Sequence, residues 1–124
     1  MKLNEQQVRD ACRNFLSGDA YWTVNKKLAR EVSVDVAILL SELLSEEKYY
    51  EENGQLRKDR FFYTTIPNIE KNTTFSKRKQ TPLFAKLRVL NFIEQHLEDM
   101  PPKRYIRLNH ENILKFLTGA TDDE

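Results

Sequence analysis

The stretch that most constrains this chain runs from Phe61 to Asn109, FFYTTIPNIEKNTTFSKRKQTPLFAKLRVLNFIEQHLEDMPPKRYIRLN, because its punctuation admits few orders of secondary structure. Thr65 can cap a short helix in which Pro67 lies within the first turn, where its missing N–H costs little. Ile66 and Ile69 share a face of that helix, and Asn72-Thr73-Thr74 supplies a polar turn. Ser76 is then a good N-cap for a longer helix, since its hydroxyl can accept from the free N–H groups of the first turn. Phe92, Ile93 and Leu97 lead into Asp99-Met100-Pro101-Pro102, a turn that no central strand could tolerate, and Tyr105 to Leu108 return as a strand. Phe61 to Tyr63 can pair with that hairpin as a third strand.

Two helices joined by a turn of three or four residues make a helix-turn-helix. With the strand before it and the hairpin after it, the order is that of a winged helix-turn-helix. The expected fold is therefore α+β, mostly α: a winged helix-turn-helix with extra N-terminal and C-terminal helices and a small two- or three-stranded antiparallel sheet.

The helix after Ser76 has two unlike sides. At about 100° per residue, Leu83, Leu87 and Leu90 fall within a narrow arc with Phe84 at one edge, so that stripe should face the core. Opposite lie Arg78, Thr81, Pro82 and Ala85, flanked by Lys77 and Arg88 on one side and Lys79 and Lys86 on the other. A helix in a DNA major groove needs cations at its flanks for phosphates and compact side chains where base edges come close. An ordinary solvated surface helix would show the same pattern, so the context has to decide. Between Lys71 and Arg107 the cations are Lys71, Lys77, Arg78, Lys79, Lys86, Arg88, Lys103, Arg104 and Arg107, against only Glu94, Glu98 and Asp99.

The whole chain carries 20 Lys and Arg against 19 Asp and Glu, a net charge of +1, so this excess is segregation. Glu42, Glu46, Glu47, Glu51 and Glu52 gather on or just after the middle helix, where the first three are expected in water, and Asp122, Asp123 and Glu124 close the sequence. A basic face with an acidic back offers a polyanion one surface. The expected base-edge contacts are Lys77, Arg78, Thr81 and Ala85. The expected phosphate contacts are Lys71, Ser76, Lys79, Lys86, Arg88, Lys103, Arg104 and Arg107.

The remainder reads as support. At 124 residues the chain is one domain by size, residues 1–119, with 120–124 expected as a disordered tail. Asn4 and Gln7 resemble a capping box, and Val8, Ala11, Cys12, Phe15 and Leu16 keep helical spacing, so residues 5–17 form an amphipathic helix ended by Gly18. Tyr21 to Val24 is β-prone, able to extend a sheet edge or to plug the core with Trp22. Asn25 and Ser33 open two further helices, the second apolar around much of its circumference to about Tyr50, followed by a turn at Asn53-Gly54. Asn109 caps a last helix in which Ile113, Leu114, Phe116 and Leu117 can dock, ended by Gly119.

Catalysis is not expected. His96 and His110 sit in different elements without ligand-spaced partners, no glycine-rich loop exists, and a pair of catalytic glutamates would need a cleft and shifted pKa values that the sequence does not announce. No cofactor or metal is called for. The single cysteine, Cys12, forbids an internal disulfide and reads as a buried structural thiol. No apolar run approaches the roughly 18 residues of a membrane span, and the N-terminus lacks a signal peptide's apolar core, so a cytoplasmic protein is expected.

Val24-Asn25-Lys26-Lys27-Leu28-Ala29, Ala37 with Leu39-Leu40, Phe61-Phe62-Tyr63-Thr64-Thr65, Ile69-Glu70, Thr74-Phe75-Ser76, Gln80, Leu87, Leu90-Asn91-Phe92-Ile93 and Pro101-Pro102-Lys103-Arg104-Tyr105 keep an order and spacing that matter together. Over roughly residues 20 to 117 the chain resembles the N-terminal winged-helix domain of phage replisome organisers and plasmid replication initiators, related in outline to DnaD-like primosome proteins. The resemblance implies binding of double-stranded DNA at a replication origin of a phage, plasmid or other mobile element, with host or phage replication proteins as further partners. Three departures stand out. Asn91 replaces the usual glycine before the first wing strand, and Asn tolerates φ > 0 better than most residues. Pro82 falls inside the recognition helix, where it removes one backbone bond at a cost of about 3 kcal/mol or a kink. The family's second, helicase-engaging domain does not follow, so a helicase-loading role is not expected. The alternatives are a winged helix used as a protein-interaction module, binding a host replication or defence protein, and a transcriptional regulator. Homodimerisation through the first helix or a free sheet edge is left open.

Overall fold

The computed structural model describes residues 2–16 and 22–119, the side chains of 12–16 excepted. Six helices and three strands follow in the order α1 (Glu5–Leu16), α2 (Lys26–Glu31), α3 (Val34–Glu52), β1 (Phe62–Tyr63), α4 (Ile66–Thr73), α5 (Lys77–Val89), β2 (Ile93–Glu98), β3 (Lys103–Leu108) and α6 (His110–Thr118). The domain is thus mostly helical with a small three-stranded antiparallel sheet, and the element order expected between Phe61 and Asn109 is the order adopted. β3 lies in the middle, pairing Phe62 with Ile106 on one side and Ile93 with Leu108 on the other.

Polar side chains start the helices where the sequence places them. Asn25, Ser33, Thr65, Ser76 and Asn109 each accept a hydrogen bond from a backbone N–H in the first turn of the helix that follows. Asn4 and Gln7 exchange two such bonds, 2.8 and 3.0 Å, as a capping box. Asn91 adopts φ 60° between α5 and β2, the left-handed conformation its position demanded. Gly119 ends α6 at φ 73°.

The core collects Leu39, Leu43, Ile69, Phe84, Leu87 and Ile106, with α3 at its centre packing against α2, α4 and α5. That central position overturns one expectation. Glu42, Glu46 and Glu47 are buried instead of facing water, because α4 and β1 cover one flank of α3 while α6 and the loop before β1 cover the other. Each finds polar company. Glu42 accepts from the Asn72 amide at 2.9 Å, Glu46 from the Thr64 hydroxyl at 3.0 Å, and Glu47 meets His110 at 2.8 Å and Arg60 at 3.4 Å.

Smaller differences lie at the ends of elements and in the exposure of single side chains. Asn72 and Thr73 complete α4 instead of forming the turn, which is Thr74-Phe75-Ser76, and Glu51 and Glu52 extend α3. Trp22 to Val24 form no strand and are exposed, so Trp22 does not plug the core. Leu114 points to solvent while Ile113, Phe116 and Leu117 dock. The expectations for Ser17, Gly18, Tyr21, the Cys12 thiol and residues 120–124 fall outside what is described.

Candidate nucleic-acid interface

α5 is held by a narrow strip of its surface. Gln80, Phe84 and Leu87 are buried, Leu83, Ala85 and Leu90 are half-buried, and the rest of the helix is open. The buried strip therefore centres on Phe84, one position round from the leucine arc read in the sequence. Gln80 is the member that the periodicity missed. It is 1 % exposed, and its amide nitrogen donates to the carbonyls of Ile66 at 3.1 Å and Phe75 at 2.7 Å. One side chain thus fixes the entry of α4 and the turn before α5. Thr73 secures the same turn: its hydroxyl donates to the Ile69 carbonyl at 2.6 Å and accepts from the Phe75 N–H at 3.1 Å.

The outward side of α5 carries Lys77, Arg78, Thr81, Pro82, Lys86 and Arg88, all exposed, with Ala85 half-buried beside them. Pro82 does not interrupt the helix, which runs unbroken from Lys77 to Val89. Its missing donor falls on the solvent side, where water can satisfy the freed carbonyl of Arg78. The Thr81 hydroxyl turns back to the Lys77 carbonyl at 3.0 Å, leaving its methyl group outward.

The cations on and around α5 fall into three groups. Lys71, Lys77, Arg78 and Lys86 are exposed, with no ion pair or side-chain hydrogen bond among the described residues. Lys79, Arg88 and Lys103 have loose company: Lys79 meets Asp35 at 3.3 Å, Arg88 donates to Gln95 at 2.8 Å, and Lys103 lies over the Tyr63 ring at 5.6 Å. Exposed pairs of this kind are worth about 0–1 kcal/mol, so a phosphate could displace them. Ser76 caps the helix, accepting from the Lys79 N–H at 3.3 Å, and its exposed hydroxyl can still donate its own hydrogen outward.

Arg104 and Arg107 are placed otherwise. On β3, Arg104 shares a side with Ile106 and Leu108, so its guanidinium enters the core edge and stacks 4.0 Å from the centre of the Phe84 ring. Burial holds its pKa below the usual arginine range, and its Nε and Nη2 atoms are sequestered from solvent. That guanidinium is not presented to a phosphate. Arg107 faces the open side of the sheet, where it pairs with Glu94 across the strands and lies over Phe61 at 4.7 Å. The same side holds His96 stacked on Tyr105, and Arg57 paired with Glu98 and lying over Tyr105 at 5.0 Å. Charge on this face is largely neutralised within the molecule. The cationic surface is consequently that of α5, the end of α4 and the start of β3.

No group of His, Cys, Asp and Glu among the described residues is arranged to hold a metal ion, and no described helix is long and apolar enough to cross a membrane. Neither a protein-family model nor a curated protein matches this chain. A solved structure described as the N-terminal domain of a DNA binding protein superposes on it with a TM-score of 0.58, covering 100% of this chain and 98% of that one at 13% sequence identity, a likeness of fold.

Proposed function

We propose that this protein binds double-stranded DNA by laying α5 in the major groove, with the turn between β2 and β3 serving as a wing. The observation that carries the reading is the outward face of α5, where Lys77, Arg78 and Lys86 stand exposed and unpaired among the described residues around the compact Thr81 and Ala85. Lys77, Arg78, Thr81 and Ala85 are assigned to base edges. Lys71, Ser76, Lys79, Lys86, Arg88 and Lys103 are assigned to phosphates, with Arg104 and Arg107 withdrawn for the reasons above. The likeness in fold to a domain of a DNA binding protein supports this reading without identifying a target. The protein acts as a binding module and not as a catalyst.

Replication initiation in a phage, plasmid or other mobile element is the biological setting we favour, on the family resemblance. A transcriptional regulator would use the same face. Mapping bound sites on the element's DNA separates the two: repeated sites at an origin support replication, and promoter sites support regulation.

Fluorescence anisotropy with duplexes selected from random sequence tests the binding itself. With about six phosphates neutralised, log K falls against log salt with a slope near −5, and Lys77→Ala or Arg78→Ala each weakens binding, a lost phosphate contact lowering the slope by about 1. Selection that enriches no duplex, or affinity unchanged by both substitutions, would overturn the assignment and favour a protein-interaction module.

A further inference from the structure

Away from the exposed face of α5, a cavity of about 570 Å³ opens between α3, β1 and α4. Its volume lies within the few hundred to one thousand Å³ usual for small-molecule sites. Glu42, Glu46 and Tyr49 line it from α3, one helical turn separating the two carboxylates. Tyr63 contributes a ring from β1, and Asn68 and Asn72 contribute amides from α4. No lysine or arginine is among its lining residues.

Glu46 sets the chemistry. It is 9 % exposed, and one carboxylate oxygen accepts from Thr64 at 3.0 Å and lies 3.5 Å from the Asn68 amide. Its other oxygen is buried and has no hydrogen-bond donor among the described residues. Arg104, whose charge acts on Glu46, forms no ion pair with it and lies over Phe84 instead. Two carboxylates therefore share the cavity wall with aromatic rings, and the nearest cations, Arg104 over Phe84 and Lys103 over the Tyr63 ring at 5.6 Å, form no ion pair with either among the described residues. Carboxylates beside tyrosine faces attract a positive group that can also donate hydrogen bonds.

We infer that this cavity is a binding site for an organic cation, an alkylammonium or guanidinium group donating to Glu46 and Glu42 and flanked by the Tyr49 and Tyr63 rings. Such a group is carried either by a free polyamine or by a lysine or arginine side chain. The inference is independent of the DNA reading, since none of its residues lies on α5.

The test is a titration of the full chain, followed by ¹⁵N–¹H chemical shifts, with putrescine, N-acetyl-lysine methylamide, N-acetyl-arginine methylamide and the neutral N-butylacetamide. The expected result at pH 8 is a saturable shift of the Thr64, Thr65 and Asn68 amides with at least one cation and none with the neutral amide. Saturation by putrescine alone assigns a free polyamine, and saturation by a capped amino acid assigns a side chain; both uphold the site. The titratable and charged groups around it are Glu42, Glu46, Tyr49 and Tyr50 on α3, Tyr63 on β1, and Lys103 (over the Tyr63 ring) and Arg104 on β3, while α4 presents the amides of Asn68 and Asn72. Glu46 is raised to about 7. Its protonation on going from pH 8 to pH 6 should weaken binding about ten-fold. Glu46→Gln should do the same at pH 8. Tyr49 is 60 % exposed, so Tyr49→Ala spares the fold and should weaken binding several-fold. An absence of saturable shifts at pH 8, or affinity indifferent to both substitutions, overturns the inference.

Discussion

Replacing Glu46 with glutamine removes a carboxylate that the fold holds at a disadvantage. Burial, chiefly, raises its pKa from 4.5 to about 7, with the neighbouring Glu42 charge adding to the effect and the Thr64 hydroxyl, Asn68 amide and Arg104 charge opposing it. Below pH 4.5 the group is protonated in both the folded and the unfolded chain and contributes nothing. Between 4.5 and 7 the native state keeps a proton that the unfolded chain has released, so stability falls as pH rises. Above 7 both states are ionised and the full cost is present. A gap of about 2.5 between native and unfolded values, at 1.36 kcal/mol each, makes that cost about 3 kcal/mol. For a domain whose total stability is on the order of 5–15 kcal/mol, this is readily measured.

Glutamine is the informative replacement, because its carbonyl can still accept from Thr64 and Asn68 while the ionisation disappears. Urea unfolding monitored by circular dichroism should therefore give two curves of different slope. The parent loses about 3 kcal/mol between pH 4.5 and 8 beyond whatever Glu46→Gln loses over the same interval. The difference between the two proteins is the useful quantity, since Asp59 and Glu98, both lowered, bend the two curves alike, while Glu42, also raised, loses the repulsion of the Glu46 charge in the variant and adds to the difference in the same direction. Parallel curves, separated by a constant amount from pH 4.5 to 8, would refute the argument that Glu46 is ionised against a desolvation cost.

Two further outcomes follow from the interface. Gln80→Leu keeps the buried volume but strips the donor from the Phe75 carbonyl and from Ile66, whose carbonyl still accepts within α4, and it also removes the unpartnered Gln80 Oε1, so the cost in denaturant unfolding should be about 1–2 kcal/mol, that of one unsatisfied acceptor. Arg104→Met preserves a long stem over the Phe84 ring while deleting the charge, so anisotropy should show DNA affinity within about two-fold of the parent. A loss comparable to that of Arg78→Ala would return Arg104 to the phosphate contacts.

What the residues disclosed in advance was mostly punctuation. Asn25, Ser33, Thr65, Ser76 and Asn109 are caps because a side-chain oxygen next to free N–H groups is a local event, decided within a few residues. The turn between β2 and β3 was equally local, since Pro101-Pro102 cannot continue a strand. Burial is not local. Glu42, Glu46 and Glu47 read as a solvated face because nothing near them announces that α4 and α6 will close over both flanks of α3. Gln80 is hidden for a related reason: the carbonyls it serves belong to Ile66 and Phe75, the first of them 14 residues away. Arg104, by contrast, was within reach. It alternates in register with Ile106 and Leu108, and period two in a strand puts it on their side. Composition, which counted it simply as one more cation, outweighed pattern.

The polar residues that escaped notice have a common task, and it explains why α5 can look so little like a core helix. A helix that leaves most of its circumference exposed has few positions left for apolar anchoring, and here the fully buried apolar ones are Phe84 and Leu87. Two such side chains fix depth but tolerate rotation and sliding, because apolar contact is non-directional. Directional bonds remove that freedom. Gln80 ties α5 to the turn and to α4, Asn72 ties α4 to Glu42, and Thr64 ties the strand before α4 to Glu46. The pair α4–α5 is thus oriented from behind by polar bonds, some buried and some partly exposed, that run back to α3. The backbone that carries Lys77, Arg78 and Lys86 is then set in place although these side chains make no ion pair or side-chain hydrogen bond among the described residues. By this reasoning, cutting the chain at Gln80 or Asn72 should loosen the angle of α5 as well as lower stability, whereas trimming Leu83, which is only half-buried, should lower stability alone.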